Sequence, residues 1–534
     1  MGKRRFVRLI AGIVGALAML SASGVVLHPL NAGAAAQVAA LATNPIYLPL
    51  VFEKPAPAYD WLQFNGDASH SGSNTLEKTL SPANVTLMHL LFQVALPDVA
   101  DGAPATLSNV TTASGIRNLI IVTTRTGGVA ALDATTGGTV WSHSSQAPAC
   151  LINNNSGRNE ACYTTSSPAI DPDRQFVYSY GLDGFVHKYA VGNGTEVLTG
   201  GWPELASRKV YDEKGSSALS LATAKNGTSY LYVTNGGYPG DAGNYQGHLT
   251  AINLSDGTQK VFNTLCSNLT AHFVDSRVVG GTDCYPQTQS AVWARAGVVY
   301  DPVDDRIYAA TGNGDFTPAQ FDWGETVFSL HPDGSGAGGG NPLDSYTPAN
   351  FLSLTNADAD LGSTAPALLP AAAGKYPHLA VQGGKDGVLR LLNLDNLSGQ
   401  GQAGKSGGEV FSMSLTGGSI FTQPAVWVNP ADGRVWVFVS NGPILTGLEF
   451  VVDGAGNPGL QSRWTGGPGT SPLVANGVLF IARAGLVSAL DPVSGSTLWS
   501  SSLIGSIHWQ SPVVANGVLY IEDLSGNLTA FSLP

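Results

Sequence analysis

The stretch ALDATTGGTVW, Ala131–Trp141, returns as ALDPVSGSTLW at Ala489–Trp499. In both copies an aspartate, a glycine-bearing turn and a tryptophan follow one another at the same spacing. Similarity between distant parts of one chain indicates an architecture of repeated structural units. The sequence around both copies should therefore contain further repeats of the same unit.

A second pair of copies defines the unit. SPLVANGVLFIA, Ser471–Ala482, is followed by SPVVANGVLYIE, Ser511–Glu522. Each copy alternates apolar residues on both sides of Asn-Gly, the dipeptide that favours a two-residue β-hairpin turn. After the first copy come a third apolar run, LVSALD, then a turn, then STLWS. This order predicts a four-stranded antiparallel sheet.

Tripeptides similar to the opening Ser-Pro-Leu occur eight times, at irregular spacing. They are Ala103–Ala105, Ser167–Ala169, Ser217–Leu219, Ser290–Val292, Ala365–Ala367, Gln423–Ala425, Ser471–Leu473 and Ser511–Val513. Eight such units predict an all-β fold, an eight-bladed β-propeller of four-stranded antiparallel blades. The last unit ends after three strands, and LMHLLFQVAL, Leu87–Leu96, can supply the fourth. Closure by this N-terminal strand removes the open sheet edge that a solenoid, the alternative, would leave.

Composition and charge exclude some classes of partner. The 534 residues are 43% hydrophobic and only 12% charged, with a formal net charge of −12. A protein of this sign repels polyanions, so we expect no nucleic-acid partner. No basic amphipathic segment follows residue 8, so peripheral membrane binding has no support either.

The N-terminus divides into two segments before the repeats begin. Residues 1–34 have the form of a signal peptide, with a basic start, an apolar run and Ala32-Gly33-Ala34 as a cleavage signature. Residues 35–58 form an Ala- and Pro-rich tether, and residues 59–534 form the propeller. These features predict a secreted, extracytoplasmic protein. An uncleaved membrane anchor is the alternative, because Leu9–Val26 is almost as long as a spanning helix.

Four cysteines agree with export from the cytoplasm. Two local bridges, Cys150 with Cys162 and Cys266 with Cys284, are the simplest of the three possible pairings. No Cys-x-x-Cys or Cys/His cluster suggests a zinc site. We expect the cysteines to staple long loops.

The pattern Ala-x-Asp-x-x-Thr/Ser-Gly-x-x-x-Trp resembles the tryptophan-docking motif of the quinoprotein alcohol dehydrogenase-like propellers, the PQQ-like repeat superfamily. The resemblance covers residues 59–534. It implies that Trp141 and Trp499 pack between neighbouring blades, and that hydrogen bonds hold the turn between the aspartate and the glycine. These tryptophans are therefore expected to build the wall of the propeller and not a site.

The dehydrogenases of this superfamily bind pyrroloquinoline quinone (PQQ) with Ca²⁺ or a lanthanide ion on the propeller axis. By resemblance, Asp358 in NADADLGST corresponds to the catalytic base that takes the alcohol proton. Asn313 in TGNG and Asp360 correspond to metal ligands, and Asp241 could be another. Lys385 in GGKDG corresponds to the cation beside the quinone, and Trp293 to the tryptophan beneath it. These residues occur in the chain order of the superfamily.

Two departures and a set of ordinary interpretations stand against this site. No two cysteines are adjacent, and the stretch NGGYPGDAGNYQGHLTAIN, where the metal-binding glutamate should lie, contains no glutamate. Asn313 is also a good turn residue, and Asp358 and Asp360 are equally compatible with solvated loop carboxylates. Lys385 could belong to an ordinary hairpin turn.

Two functions from different classes therefore remain open. The first is an atypical quinoprotein-like oxidoreductase that acts on a small-molecule alcohol or sugar with PQQ and Ca²⁺ or a lanthanide. The second is a non-catalytic extracellular binding or scaffold propeller, whose loops contact another protein. The first requires Asn313, Asp358 and Lys385 to meet in one axial cavity.

Overall fold

A computed structural model of the protein describes residues 57–144, 150–152, 160–241, 243–274 and 284–534. The predicted signal peptide and all but the last residues of the predicted tether lie outside the described residues. The described residues belong to one compact unit, Ala56–Pro534. Among these, no helix combines the length and the apolarity needed to cross a membrane.

Eight antiparallel sheets of four principal strands confirm the eight-bladed β-propeller. Two strands precede the first blade: β1 (Ser73–Asn74) and β2 (His89–Ala95). The first three blades contain β3 (Ala105–Thr112), β4 (Gly115–Thr123), β5 (Val129–Asp133) and β6 (Thr139–His143); β7 (Ala169–Ile170), β8 (Phe176–Tyr180), β9 (Phe185–Ala190) and β10 (Glu204–Leu205); and β11 (Glu213–Gly215), β12 (Ser220–Thr223), β13 (Ser229–Gly237), β14 (His248–Asn253) and β15 (Gln259–Asn263).

Long segments separate strands within the fourth and fifth blades, whereas the strands of the sixth blade follow one another closely. Their strands are β16 (Val299–Asp301), β17 (Arg306–Ala310), β20 (Val327–Leu330) and β21 (Asp344–Tyr346), with the hairpin β18 (Phe316–Thr317) and β19 (Asp322–Trp323) inserted; β22 (Ala367–Leu368), β23 (Leu379–Gln382), β24 (Val388–Asn393) and β25 (Phe411–Ser414); and β26 (Ala425–Val428), β27 (Val435–Asn441), β28 (Ile444–Val452) and β29 (Pro458–Gly466). Helix α1 (Phe351–Asn356) precedes the fifth blade, and single 3₁₀ turns lie at Val85–Leu87, Pro318–Gln320 and Leu361–Ser363.

The last two blades close the ring. They contain β30 (Leu473–Ala475), β31 (Val478–Arg483), β32 (Leu486–Leu490) and β33 (Thr497–Ser501), and then β34 (Val513–Ala515), β35 (Val518–Glu522) and β36 (Asn527–Ser532). Strand β2 pairs antiparallel with β36, which confirms the predicted closure by an N-terminal strand. The ring is continuous because the start and the end of the propeller share one sheet.

The two Asn-Gly repeats form the tight turns that the sequence predicts. Asn476 and Gly477 join β30 to β31 with φ angles of 45° and 76°. Asn516 and Gly517 join β34 to β35 with φ angles of 53° and 79°. Two successive positive φ angles define the hairpin turn that asparagine and glycine tolerate best. The repeat therefore encodes its own hairpin locally.

The docking tryptophans join neighbouring blades, as the resemblance implies. Trp141, on the outer strand of the first blade, donates from Nε1 to the carbonyl of Val191 in the second blade at 2.7 Å. A side chain on Gly194 would place its Cβ 2.7 Å from the Trp141 ring, so that turn needs glycine. Trp499 donates to the carbonyl of Met88, just before β2, at 3.0 Å. Both tryptophans contribute to the wall.

One predicted blade opening is displaced. The tripeptide at Ser290 precedes the fourth blade, but its first strand, β16, begins only at Val299. The intervening segment carries Trp293 and Arg295 and packs Ala294 and Ala296 into the core. The small and apolar residues at Ser290–Val292 are buried there without forming a strand. The other seven tripeptides lie at or within three residues of a first strand.

The N-terminal segment from Tyr59 to Asn74 runs around the inner strands. The first strands of several neighbouring blades contact one another, as β7 and β12 do and as β22, β26, β30 and β34 do in turn, which identifies them as the inner strands of the propeller. Successive backbone groups of the segment bond to these strands, for example Leu62 O with Ile170 N, and Ser71 O with Val426 N. The side chain of Asn74 then donates to Val514 O at 2.7 Å. This segment therefore ties the first strands of distant blades together.

Both predicted disulfides form, between Cys150 and Cys162 and between Cys266 and Cys284. Each bridge is local in the chain and secures a loop between blades. The first holds the segment that ends at Tyr163, directly before the second blade. That position matters because Tyr163 lines the cavity described below.

Candidate functional site

A cavity of about 390 Å³ lies over the centre of the ring. Its walls come mainly from the segments that lead into the first strands of six blades. The lining includes Tyr163 before the second blade, Lys214 at the third, Arg295 before the fourth, Phe421 before the sixth and Trp509 before the eighth. A cavity of this size, on the shared axis of a closed ring, is suited to a small molecule.

All six residues predicted from the sequence line this one cavity: Asp241, Trp293, Asn313, Asp358, Asp360 and Lys385. They come from the third, fourth and fifth blades and lie up to 144 residues apart in the chain. The condition that Asn313, Asp358 and Lys385 meet in one cavity is therefore satisfied. Their chemical roles stay predictions.

Lys385 forms ion pairs with both aspartates of the NADADLGST stretch. Its Nζ lies 2.6 Å from Asp358 Oδ1 and 2.8 Å from Asp360 Oδ2. The two carboxylates differ in exposure, because 63% of the Asp358 side chain is exposed and only 5% of the Asp360 side chain. We call Asp358, Asp360 and Lys385 the acidic end of the cavity. Its charges are satisfied within the protein.

Asp360 is the fixed point of the acidic end. Its Oδ1 accepts the backbone N–H of Asn313 at 2.8 Å, and its Oδ2 accepts the indole N–H of Trp293 at 3.1 Å in addition to the ammonium of Lys385. Burial raises the pKa of Asp360, whereas the nearby Lys385 opposes that rise. A side chain on Gly312 would place its Cβ 2.9 Å from Asp360 Cγ. Gly312, the first glycine of TGNG, has no side chain and therefore leaves room for the Asp360 carboxylate.

Asn313 connects the acidic end to Asp241. Its Nδ2 donates to Asp241 Oδ2 at 3.1 Å, and Tyr245 donates from its hydroxyl to Asp241 Oδ1 at 2.5 Å. Burial, together with the charge of Asp241, raises the pKa of Tyr245 well above its ordinary value. Tyr245 is therefore a hydrogen-bond donor that fixes Asp241.

These residues do not form a preformed metal site. Asp241, Asp358 and Asp360 belong to no group of three His, Cys, Asp or Glu ligand atoms within 4.8 Å of one another in the part of the chain that the structure describes. The ammonium of Lys385 lies between Asp358 and Asp360, where a metal shared by them would need to be. A hard cation such as Ca²⁺ takes six to eight oxygen ligands. The donors present do not fit such an ion.

The one cluster of potential metal ligands in the described residues is Cys266, Cys284 and Asp322. Its two cysteines are joined in a disulfide, so they hold no thiolate for a metal. The Asp322 carboxylate accepts the backbone N–H of Cys266 at 3.0 Å instead. This cluster is a loop staple.

The cavity also carries cations that the sequence analysis missed. Lys214 and Arg295 are both buried, and neither forms an ion pair within the described residues. Burial lowers the pKa of Lys214 to about 7, and the positive charges of Arg295 and Arg125 contribute to that shift. We call Lys214 and Arg295 the basic end of the cavity.

Asp101 is the carboxylate whose charge acts on both Lys214 and Arg295. It is buried, accepts from His508 Nδ1 at 2.9 Å, and lies 3.8 Å from Arg125 Nε. His508 also lines the cavity, and 47% of its side chain is exposed. The packed His508–Trp509 pair thus contributes to the rim, and Asp101 orients its imidazole.

Aromatic rings connect the two ends. Trp293, Phe421 and Trp509 form a triangle with centroid distances of 6.2 to 6.4 Å. Lys385 Nζ lies 5.3 Å from the Trp293 ring, and the Arg295 guanidinium lies 5.7 Å from the Trp509 ring. A planar ligand against these rings would therefore lie beside cations of both ends.

One signal could have identified the basic end from the sequence. Lys214 lies six residues before β12, and Arg295 lies four residues before β16. Phe421 and Trp509 likewise lie four residues before a first strand, whereas Asp360 and Asp358 lie seven and nine residues before β22. Polar or aromatic residues before the first strand of six of the eight blades reach the cavity, and Asp241, Asn313 and Lys385 reach it from connections within a blade. The superfamily motif carried no hint of Lys214 or Arg295, so resemblance alone passed over them.

Comparisons with known proteins agree with the fold. Residues 406–533 match the family model described as outer membrane protein assembly factor BamB, which spans less than half of the chain. A search of curated protein sequences finds no match.

Solved structures of dehydrogenases share the architecture. A europium-containing methanol dehydrogenase aligns over 89% of this chain and 98% of its own, with 14% identity and a TM-score of 0.61. Quinohemoprotein alcohol dehydrogenases from Pseudomonas putida HK5 and Comamonas testosteroni align over 89% of this chain and 80% of their own. Their identities are 14% and 15%, and their TM-scores 0.59 and 0.58. The protein therefore shares its β-propeller fold with these dehydrogenases.

Proposed function

We propose that the protein is an atypical quinoprotein-like oxidoreductase that acts on an alcohol or sugar outside the cytoplasm. The observation that carries this proposal is the meeting of Asp358, Lys385, Asn313 and Trp293 in one axial cavity. A shared fold alone would not support an activity, because function depends on the site. The two disulfides suit an oxidising compartment and support the location.

The lining of the cavity fits PQQ, an aromatic quinone with several carboxylates. Trp293, Phe421 and Trp509 offer ring faces, and the unpaired Lys214 and Arg295 offer charge for carboxylates. When bound, PQQ supplies the acceptor for the two electrons of an alcohol. No metal enters this proposal, because the donors do not fit one.

Asp358 is the residue best placed to take the proton of a substrate hydroxyl. It lines the cavity, it is the more exposed of the two aspartates, and Lys385 bonds to its Oδ1. Its Oδ2 is left for the substrate proton. Asp360 has both oxygens engaged by donors, so it orients Lys385 and Trp293 and does not act as a base.

The test is titration of the purified protein with PQQ, alone and with Ca²⁺ or a lanthanide, followed by quinone absorbance and by dye reduction with a panel of alcohols and sugars. We expect PQQ to bind without added metal. Asp358→Asn should bind PQQ as the wild type does but reduce dye about 10²- to 10⁴-fold more slowly, because a general base is lost.

Asp173→Asn is the matched control, since Asp173 is exposed and outside the cavity. It should reduce dye at the wild-type rate. The oxidoreductase proposal fails if micromolar PQQ does not bind with or without either metal, or if Asp358→Asn reduces dye as fast as the control.

A non-catalytic binding or scaffold propeller is the second candidate. Two observations favour it: the match of residues 406–533 to a model named for an assembly factor, and the ion pair that already engages Asp358 with Lys385. On this proposal the loops between blades contact an extracellular protein. It predicts that no alcohol or sugar supports dye reduction, even where PQQ binds.

A further inference from the structure

The inner segment, Tyr59 to Asn74, bonds to the same position in seven of the eight blades. That position is the second residue of the first strand of each blade. Five blades bond through the main chain, as Val426 N–H does to Ser71 O at 2.9 Å. Two bond to a side chain of the segment, as Val514 O does to Asn74 Nδ2. The seven positions are Thr106, Ile170, Leu221, Tyr300, Val426, Val474 and Val514.

The fifth blade is the exception. The second residue of its first strand is Leu368, and no group of the inner segment bonds to its N–H or C=O in the part of the chain that the structure describes. Leu369 N–H donates to Leu379 O, at the start of β23, at 2.8 Å. Successive residues of a strand point their N–H and C=O groups in opposite directions. The N–H and C=O of Leu368 therefore face away from β23, towards the edge that the inner segment covers in the other blades.

The inner segment misses the fifth blade because it turns inwards at His70. This residue is buried and has a φ angle of 51°, and its Nε2 lies 2.9 Å from Ser220 Oγ in the third blade. Ala68 bonds to the fourth blade and Ser71 to the sixth. Between them, Ser69 donates to the fourth blade as well. The segment therefore has no group left for the fifth blade, and its own contacts hold the edge of β22 open.

A groove of about 800 Å³ lies at this open edge. Leu368 lines it with residues of the fourth, fifth and sixth blades, among them the apolar Pro302, Val303, Pro370, Trp427 and Val428. Val303 is 65% exposed and Val428 is 44% exposed, and adjoining apolar side chains in contact with water mark an interaction surface. The groove lies where the first strands end, whereas the axial cavity lies where they begin, and the two share no lining residue.

We propose that this groove binds an extended apolar peptide segment of a partner protein, which pairs with Leu368 as the inner segment pairs with the other blades. A carbonyl of the peptide accepts from Leu368 N–H, and a peptide N–H donates to Leu368 O. Trp61 and Thr106 exchange the same two hydrogen bonds in the first blade, at 2.9 and 2.7 Å.

The apolar wall accounts for the side chains of such a peptide. Successive side chains of an extended chain point to opposite faces, so every second residue of the peptide contacts the wall at Trp427 and Val428. Main-chain pairing gives affinity in this mode of recognition, and the contacts of alternate side chains give specificity. The proposal requires no redox step and is compatible with either candidate function. A failure of catalysis would leave it standing.

Calorimetric titration of the whole protein with two hexapeptides tests the proposal. Both have the sequence Thr-Val-Thr-Val-Thr-Val with blocked ends, and in the second a methyl group replaces the hydrogen of every backbone N–H. Methylation removes the donors that strand pairing needs and keeps the side chains. We expect the unmodified peptide to bind at least about tenfold more tightly, because several hydrogen bonds are lost together. The proposal is overturned if neither peptide binds or if both bind equally.

Leu368→Pro is the diagnostic variant. Proline has no N–H, and the N–H of Leu368 faces away from β23, so the sheet loses no hydrogen bond. Leu368→Ala is the matched control, because it shortens the side chain and keeps the N–H. We expect Leu368→Pro to lose most of the affinity for the unmodified peptide and Leu368→Ala to retain more of it. Equal affinities of the two variants would contradict pairing at this edge.

Val428→Asp tests the wall and leaves the backbone of the edge unchanged. The half-exposed side chain lines the groove, so a carboxylate there is hydrated in the free protein and loses water when an apolar peptide binds. Ile116→Asp is the control, at an exposed strand residue outside the groove. We expect Val428→Asp to weaken binding of the unmodified peptide at least about tenfold and Ile116→Asp to leave it unchanged. Equal binding by the two variants would exclude the groove as the site.

Hydrogen exchange and light scattering separate this proposal from other occupants of the groove. In the free protein the Leu368 amide should exchange much faster than its equivalent Val426, and the peptide should slow it. Equal protection of both amides in the free protein would mean that the edge is already covered, and would overturn the proposal. We expect light scattering to report a monomer. A dimer that the peptide dissociates would assign the groove to a second copy of this chain and overturn the choice of partner.

Discussion

The acidic and basic ends of the cavity carry charges of opposite sign, and they differ in how those charges are satisfied. At the acidic end Lys385 pairs with Asp358 and Asp360 at 2.6 and 2.8 Å. At the basic end Arg295 is bound only by neutral oxygens, and Lys214 faces an aromatic ring. Ion pairs within the protein fix the geometry of the acidic end. At the basic end no carboxylate of the described residues pairs with the cations, so their charge can interact with a ligand. The variants below test this difference.

Removal of Asp360 should have the largest effect on stability. Asp360→Ala leaves Lys385, the Trp293 N–H and the Asn313 N–H without their shared acceptor. Loss of one partner from a buried ion pair costs about 3–5 kcal/mol. We expect a loss of this order in the free energy of unfolding, measured with urea.

Asp360→Asn provides the matched comparison, since it retains an oxygen for the Asn313 N–H but loses the charge. The free energy of unfolding of Asp360→Asn should lie between those of the wild type and Asp360→Ala. Unfolding of Asp360→Ala with the free energy of the wild type would mean that the acidic end is not held together by its pairs.

Neutralisation of Lys214 should have the opposite sign. In the folded protein burial lowers the pKa of Lys214 to about 7, whereas in the unfolded chain it keeps its ordinary value of 10.5. Between these values the unfolded chain binds more protons, so the contribution of Lys214 to stability rises with pH across that window. Lys214→Met should therefore be more stable than the wild type at neutral pH, by about 2 kcal/mol after relaxation of the interior.

The pH dependence distinguishes this cause from better packing of methionine. The advantage of Lys214→Met should be complete below about pH 7 and should shrink as the pH rises towards 10.5. Urea unfolding of both proteins across this range measures it. A constant difference would indicate packing alone, and a less stable variant would remove the idea of an unsatisfied cation.

The sequence predicts the two regions of this protein unequally well. The Asn476-Gly477 turn and the docking of Trp141 follow from short-range patterns, because a hairpin turn is encoded within a few residues. The acidic end was found through resemblance, in segments that keep the superfamily order. The turn and the tryptophan follow from local sequence, and the residues of the acidic end follow from the resemblance to the superfamily.

The basic end and the inner segment depend on contacts that only the closed ring creates. Arg295 meets Thr165 across 130 residues, and Tyr59 donates to Asn516 across 457. The periodicity of apolar residues along the sequence cannot predict a contact between residues so far apart. The prediction that a first strand starts at Ser290 was wrong for the same reason. The small residues at Ser290–Val292 are buried in the assembled ring, but they do not form a strand.

The smallest effect should come from the indole of Trp293, which belongs to both the acidic end and the aromatic wall. Trp293→Phe keeps a ring between Phe421 and Trp509 but removes the hydrogen bond from Nε1 to Asp360 Oδ2, whose length is 3.1 Å. A hydrogen bond to a charged group contributes about 1.5–3 kcal/mol, and Asp360 keeps two other donors, so we expect a loss of about 1 kcal/mol on urea unfolding. Binding of naphthalene-2-carboxamide, a neutral aromatic probe of the cavity, should persist because the wall remains, while Trp293→Ala should weaken it as well. Equal binding by both variants would show that Trp293 serves the acidic end alone, and would shift the aromatic wall to Trp509 and Phe421.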